Sequence, residues 1–279
     1  MTDAQGYDAA RWNTFEHDGW QTAAHQYHDW LGSVTAMAIA PLLDAVRVTS
    51  GVRLLDVATG PGYAAARAAQ LGADVVGVDF SAAMVDEASG RFPGLDFREG
   101  DAEALPFPDA CFDAVVCNFG ILHFGRPERA LAEAHRVLRS GGRFAFTVWD
   151  HFAELDPRQI VRRAVQAFGD AGVAFSLPSG PAPHVFVDPD RSRQLLEAAY
   201  FQPPTLVKLP LVQPTPDPDA YFDTVMRGAG PLVGPPLRAQ PPERLAAIRA
   251  AVSDALRACQ RDGITELPMP AVLVSAQKP

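Results

Sequence analysis

At 279 residues, 48% apolar and 20% charged, the chain has the composition of a globular protein large enough to bury a substantial core. Its net charge of −9, with Lys208 and Lys278 as the only lysines, offers no basic stripe to neutralise a run of phosphates, so no nucleic-acid partner is expected. Cys111, Cys117 and Cys259 are too few and scattered for a disulfide framework or a four-thiolate zinc site; with no membrane-length apolar run and no signal-peptide pattern, the expected compartment is the cytoplasm, without a membrane partner.

In chain order, residues 1–48 read as a helical segment carrying Tyr7, Trp12, Phe15, Trp20, Tyr27 and Trp30, with one helix over 21–47 interrupted near Pro41. The pattern then changes. An apolar run at 52–58 predicts a strand that enters a glycine turn at 59–63 and an alanine-rich helix at 64–71. A second strand is expected at 74–78 and a second helix at 81–88, with Ser81 as its N-cap. Strands follow at 95–99, 112–117 and 143–148, and an amphipathic helix at 126–138, closed by Ser140, Gly141 and Gly142, separates the last two. Beyond Asp150 the regularity loosens. Helices are expected at 156–168, 190–199, 217–227 and 242–259, strands at 205–212 and 269–277, and loops at 176–189 and 228–241. Pro268 and Pro270 suit an edge or a strand beginning. Short, nearly continuous apolar strands alternating with helices predict βαβ units and a parallel sheet covered on both faces.

Residues 54–63 (Leu-Leu-Asp-Val-Ala-Thr-Gly-Pro-Gly-Tyr) are the most informative stretch. A strand runs into a glycine turn and a helix N-terminus, the place where open α/β sheets bind ligands. Gly60 and Gly62 let the backbone turn tightly and approach a ligand. Asp79, ending the second strand, can accept both hydroxyl hydrogens of a ribose. A nicotinamide site shares this outline, but its fingerprint needs a third glycine where this chain has Ala65, and Pro61 separates the two glycines present. Asp56 is an extra acid that a pyrophosphate site does not require; it can orient the loop near a cationic ligand. His123, just past the fourth strand, and His151, beside Asp150, are candidate bases. His25 and His28 can share a helix face, but no third ligand has a matching spacing, so no metal site is expected.

Four segments in register carry a resemblance: Asp-Val-Ala-Thr-Gly-Pro-Gly at 56–62, Gly-Val-Asp-Phe-Ser at 77–81, Gly-Asp-Ala-Glu-Ala-Leu-Pro-Phe at 100–107, and Leu-Arg-Ser-Gly-Gly at 138–142. Together they resemble the class I S-adenosylmethionine-dependent methyltransferases, closest to the group of quinone-biosynthesis C-methylases and small-molecule tailoring methyltransferases. The resemblance spans about residues 50–150 and departs from the family pattern at Ala58, where the family has the first glycine of its loop.

The resemblance implies an α/β, Rossmann-like fold: a seven-stranded, mostly parallel sheet with helices on both faces and a helical lid over an acceptor pocket. The lid would comprise residues 1–48, with insertions at about 150–200 and 214–265 of a methyltransferase domain at 49–279. It also implies S-adenosyl-L-methionine as cofactor, with Asp56, Ala58, Gly60 and Gly62 beside its methionyl part and Asp79 on its ribose. Phe80 and Met84 would pack near the adenine, Asp101 would accept from its amino group, and Ala102 would offer its backbone N–H. Asn118 ends the strand where methyl donor meets acceptor, and His123 is the first candidate base. The implied activity is methyl transfer to a small-molecule acceptor, with the oligomeric state left open. A non-methylating cyclisation or rearrangement at the same site, a nicotinamide-dependent oxidoreductase and a non-catalytic binding protein are the alternatives.

Overall fold

The computed structural model describes residues 6–151, 156–174, 177–182, 185–215, 217–260 and 265–279, so the loop expected at 176–189 falls partly outside the described residues. The chain opens with α1 (Ala9–Ala23), whose first N–H groups at Ala10 and Arg11 are accepted by the Asp8 carboxylate. A 3₁₀ turn (Ala24–Gln26) and a π-helical turn (His28–Gly32) lead into α2 (Ser33–Ala36) and α3 (Ile39–Ala45). The helix expected over 21–47 is therefore a series of short pieces. Met37 and Ala38 separate α2 from α3, the interruption expected near Pro41; Pro41 itself sits in the first turn of α3, where a missing N–H costs nothing.

The next stretch follows the sequence pattern closely: β1 (Arg53–Val57), α4 (Tyr63–Gln70), β2 (Asp74–Asp79), α5 (Ala82–Arg91), β3 (Asp96–Glu99), β4 (Phe112–Asn118), α6 (Pro127–Val137) and β5 (Leu138–Trp149). Ser81 caps α5 as expected, accepting from the Met84 N–H. Residues Ser140–Gly142, expected to close α6, instead lie in the irregular start of β5. Leu138 pairs with Phe112 before the register shifts, and Gly141 has φ 77°.

The remaining elements are α7 (Pro157–Phe168), α8 (Ala171–Ala174), α9 (Pro189–Ala198), β6 (Thr205–Leu209), β7 (Val212–Thr215), α10 (Pro218–Gly228), α11 (Gly234–Arg238), α12 (Pro242–Ala258), β8 (Thr265–Pro268) and β9 (Ala271–Gln277). Three of these helices start from one device, an Asp N-cap followed by Pro: Asp156-Pro157, Asp188-Pro189 and Asp217-Pro218. The strand expected at 205–212 stops before Pro210, and α11 occupies part of the loop expected at 228–241.

Strand order is β3-β2-β1-β4-β5-β9-β6, with β9 antiparallel to both β5 and β6 and the other neighbours parallel; β7 and β8 form a separate antiparallel pair. This is the seven-stranded, Rossmann-like sheet expected from the sequence. Pro268 and Pro270 precede β9, which lies inside the sheet and not at its edge.

Strand alternation divides the apolar side chains between two faces. Leu55, Val57, Val115 and Phe146 pack with Leu131 of α6 and Leu196 of α9. Leu54, Val75, Val116 and Ala145 pack with Leu42 of α3 and Ala65 of α4. A third core joins α7, α10 and α12 around Phe222, Val225, Ile248 and Val252, forming the helical cover. The chain order reverses between β1 and β4, so the ligand crevice of such a sheet falls at their carboxyl ends.

Candidate functional site

At that crevice, Asp56 is buried at the end of β1, and its Oδ2 accepts from Thr59 Oγ1 (2.7 Å) and the Ala65 N–H (3.0 Å). One carboxylate thus ties the glycine loop to the first turn of α4. Its Oδ1 is buried without a hydrogen-bond partner among the described residues. Burial pushes the Asp56 pKa up to about 7, against the two hydrogen bonds that lower it.

The loop itself is left-handed at Ala58 (φ 53°), Gly60 (φ 51°) and Gly62 (φ 83°). A Cβ on Gly62 would stand 2.7 Å from Phe97 Cζ, so this glycine is required by packing as well as by φ. A Cβ on Gly60 would meet nothing within 4 Å, because Gly60 faces the cavity. Ala58 holds its left-handed backbone despite carrying a Cβ, a conformation that costs roughly 1–2 kcal/mol. Its methyl is accommodated by Gly120, where a Cβ would lie 2.4 Å from it.

Asp79, at the end of β2, is also buried. Its Oδ2 accepts from the Gly60 N–H (2.9 Å) and its Oδ1 from the Ser81 N–H (3.0 Å). Burial pushes its pKa up to about 6, with the Ser81 and Gly60 bonds and the nearby His123 and His17 acting the other way. Asp79, Phe80, Met84 and Asn118 line one cavity together with Trp20, Tyr27, Tyr63, Phe119 and Trp149. Phe80, His123, Phe124 and Ala58 also border an adjoining cavity of about 320 Å³ that contains Asp101 and Ala102. Among the described residues, no Lys or Arg lines either cavity.

Asp101 is exposed and accepts from the Glu103 N–H through Oδ1 (2.8 Å). The Asn118 amide is engaged on both ends: Nδ2 donates to the Thr35 carbonyl (3.1 Å) and Oδ1 accepts from Thr147 Oγ1 (2.8 Å). Asn118 therefore joins β4 to the helical segment and to β5. His151 is exposed and borders neither cavity. His25 and His28 do not converge: one pairs with Glu87 and the other with Tyr63 Oη. Among the described residues, no group of three or more His, Cys, Asp and Glu side chains is placed to hold a metal ion, and no helix is long and apolar enough to cross a membrane.

Sequence reasoning missed Glu16. Its side chain is wholly buried, and Oε2 lies 2.9 Å from His123 Nδ1 while accepting from Trp20 Nε1 (3.1 Å). Trp20 stands edge-on to the His123 ring at 5.1 Å, and Trp12 Nε1 donates to the His123 carbonyl (3.1 Å). Trp12, Glu16 and Trp20 recur every fourth residue, so α1 presents them on one face. That spacing was the available signal, an acid inside an otherwise aromatic stripe.

Residues 55–146 match the family model of a methyltransferase domain. The demethylmenaquinone methyltransferase of Deinococcus radiodurans is 35% identical over 167 residues, which cover 54% of this chain and 68% of that protein. The chain belongs to the class I S-adenosylmethionine-dependent methyltransferases. The demethylmenaquinone methyltransferase of Renibacterium salmoninarum is 44% identical over 110 residues, covering 39% of this chain and 46% of that relative. The chain spans about half the length of the first curated relatives it matches. Its fold is similar to that of the YcgJ protein from Bacillus subtilis, with a TM-score of 0.57, 22% identity, and coverage of 87% of this chain and 98% of that one. Within this class I methyltransferase, the family-model match contains the site residues from Asp56 to His123 but neither α1 nor the helices after β5.

Proposed function

We propose that the chain transfers the methyl group of S-adenosyl-L-methionine to a small organic acceptor. The observation that carries this reading is Asp79. It is a buried carboxylate at the switch point, held by the Gly60 and Ser81 N–H groups and bordering the cavity beside an open left-handed glycine.

The residues present fit the cofactor. Asp79 retains lone pairs for two ribose hydroxyls, since each oxygen accepts one backbone N–H. Phe80 and Met84 offer an apolar and polarisable wall for the adenine, with Asp101 and the Ala102 N–H in the adjoining cavity for its polar edge. Asp56, Ala58, Gly60 and Gly62 shape the loop for the methionyl part, where the unpartnered Asp56 Oδ1 suits a cationic group. S-adenosylmethionine supplies a methyl on a sulfonium, already bound to a good leaving group, so the protein's work is alignment and exclusion of water. Residues 1–48 and the helices beyond β5 serve as the lid. Asn118, through Thr35, ties that lid to β4. With no Lys or Arg among the described residues lining the cavities, the acceptor is an uncharged molecule at its reacting end, matched to the rings of Trp20, Phe119 and Trp149.

The test is calorimetric titration with S-adenosylhomocysteine, beside label transfer from methyl-labelled S-adenosylmethionine into a panel of quinols and phenols. Wild type binds and labels. Asp79→Asn binds roughly 10–100-fold more weakly, as expected when charge-assisted hydrogen bonds are lost. Absence of binding by folded wild type overturns the proposal.

A further inference from the structure

We infer that Glu16 is a positioning residue that fixes His123 as a Nδ1–H imidazole with Nε2 free as base, and that the acceptor is therefore one that gives up a proton on methylation. The inference rests on the proposed methyl transfer.

The geometry is specific. Glu16 Oε2 already accepts from Trp20 Nε1 (3.1 Å) and lies 2.9 Å from His123 Nδ1, so an Nδ1–H donating to that same oxygen completes the arrangement. The neutral ring then carries its lone pair on Nε2. No hydrogen bond to Nε2 is formed among the described residues, and the ring borders both cavities. The acid is held against swinging away: Trp20 Nε1 donates to the same Oε2 (3.1 Å), and the Trp20 ring packs edge-on against the imidazole at 5.1 Å. The backbone of His123 is pinned separately by Trp12 Nε1 (3.1 Å). A buried acid that meets Trp20 and His123 through one oxygen, with its Oε1 unpartnered among the described residues, orients a base as second-layer carboxylates do for other histidines.

The charge balance agrees with that role. In transfer to an acceptor X–H, the X–CH₃ bond forms as the S–CH₃ bond breaks, the bonding pair stays on sulfur as a neutral thioether, and the proton passes to His123 Nε2. The positive charge lost from the sulfonium reappears on an imidazole that faces Glu16 from α1 and Asp79 from β2, with His17 as the neighbouring basic group. Acceptors of this kind are phenols, quinols, enols and activated ring carbons. An amine presented neutral needs no such base for its methyl to transfer.

The test uses full-length protein labelled with ¹⁵N-histidine and saturated with S-adenosylhomocysteine. Long-range proton–nitrogen spectra report the tautomer of the neutral ring, with the His123 signals assigned by their loss in His123→Gln. Wild type is expected to show a protonated Nδ1 and a bare Nε2. Glu16→Leu removes the acceptor and shifts the ring to the Nε2–H form, while Glu16→Gln keeps a carbonyl acceptor and restores the Nδ1–H form. Label transfer to the panel falls about 10²–10⁴-fold in His123→Gln, and about 10-fold or more in Glu16→Leu on the same Brønsted reasoning. S-adenosylhomocysteine affinity in all three variants stays within about threefold of wild type, since none of these groups carries the cofactor's hydrogen bonds in this proposal. An Nε2–H ring in wild type, or a tautomer unmoved in Glu16→Leu, overturns the inference. Loss of cofactor binding by wild type instead overturns the methyl-transfer reading on which it rests.

Discussion

Ala58 and Gly62 occupy the same left-handed loop but respond to substitution in opposite ways. Ala58→Gly removes the steric cost of a Cβ at φ 53° and adds backbone freedom to the unfolded chain, so the two effects largely offset. The net expectation is a gain of about 0–1 kcal/mol. Gly62→Ala adds a Cβ at φ 83° and drives it to 2.7 Å from Phe97 Cζ and 3.1 Å from Ala88 Cβ. It should lose about 2–4 kcal/mol, readable by urea unfolding of both variants. A second residue-scale prediction concerns pH. Asp56 and Asp79 have pKa values raised by burial from 3.8 to about 7 and about 6, so between those limits the folded state holds more protons than the unfolded one. The stability they contribute is fully present below pH 3.8 and is lost as pH rises through 6 to 7. On the proposed ribose role, ligand binding has the opposite sign, because the hydroxyls would donate to the ionised form of Asp79. Affinity for S-adenosylhomocysteine should rise as pH climbs through about 6, with proton release seen as buffer-dependent heats in calorimetry. In Asp79→Asn that pH dependence should flatten.

At the scale of elements, α1 is attached to the sheet domain by polar side chains as well as by apolar ones. Gln21 Oε1 accepts from Ser81 Oγ (2.6 Å) and the Ala83 N–H (2.7 Å); Asn13 bridges Glu103 (3.0 Å) and the Gly125 N–H (2.7 Å). Its apolar attachment includes Trp20 and Ala23, which cluster with Met84 of α5. An element held this way opens at lower free energy than the strands beneath it. Amide exchange in α1 should therefore be faster than in β1 and β4, and S-adenosylhomocysteine should slow it selectively. Equal exchange in α1 and β4, unchanged by ligand, would count against a lid role for this helix.

At the scale of the whole molecule, legibility from sequence followed locality. The stretch from β1 to β5 was readable because each strand is a short apolar run and each turn carries its own glycine or cap, as at Gly60, Gly62 and Ser81. The placement of Asp56 and Asp79 at the ends of β1 and β2 is legible for the same reason. The Ala58 conformation is not, since a small residue gives no sign of its φ. For Glu16 the local spacing with Trp12 and Trp20 signals burial, but its partner His123 lies 107 residues away, so the pairing itself is not legible in the sequence. The N-terminal segment has a further break that no proline marks: His28–Gly32 winds as a π-turn and lies against α10.

The interior position of β9 bears on how the chain is made. Residues Arg143 to Trp149 of β5 pair with Gln277 to Ala271, segments separated by more than a hundred residues. At roughly 5–20 residues per second, a ribosome takes on the order of ten seconds to supply that partner. Through this interval β5 has one neighbour, β4, and its other flank presents open backbone groups beside Phe144, Phe146 and Val148. Newly synthesised chains should therefore dwell as a five-stranded intermediate that is a natural client for holdase chaperones, and slow translation of the stretch between β5 and β9 should lower the soluble yield.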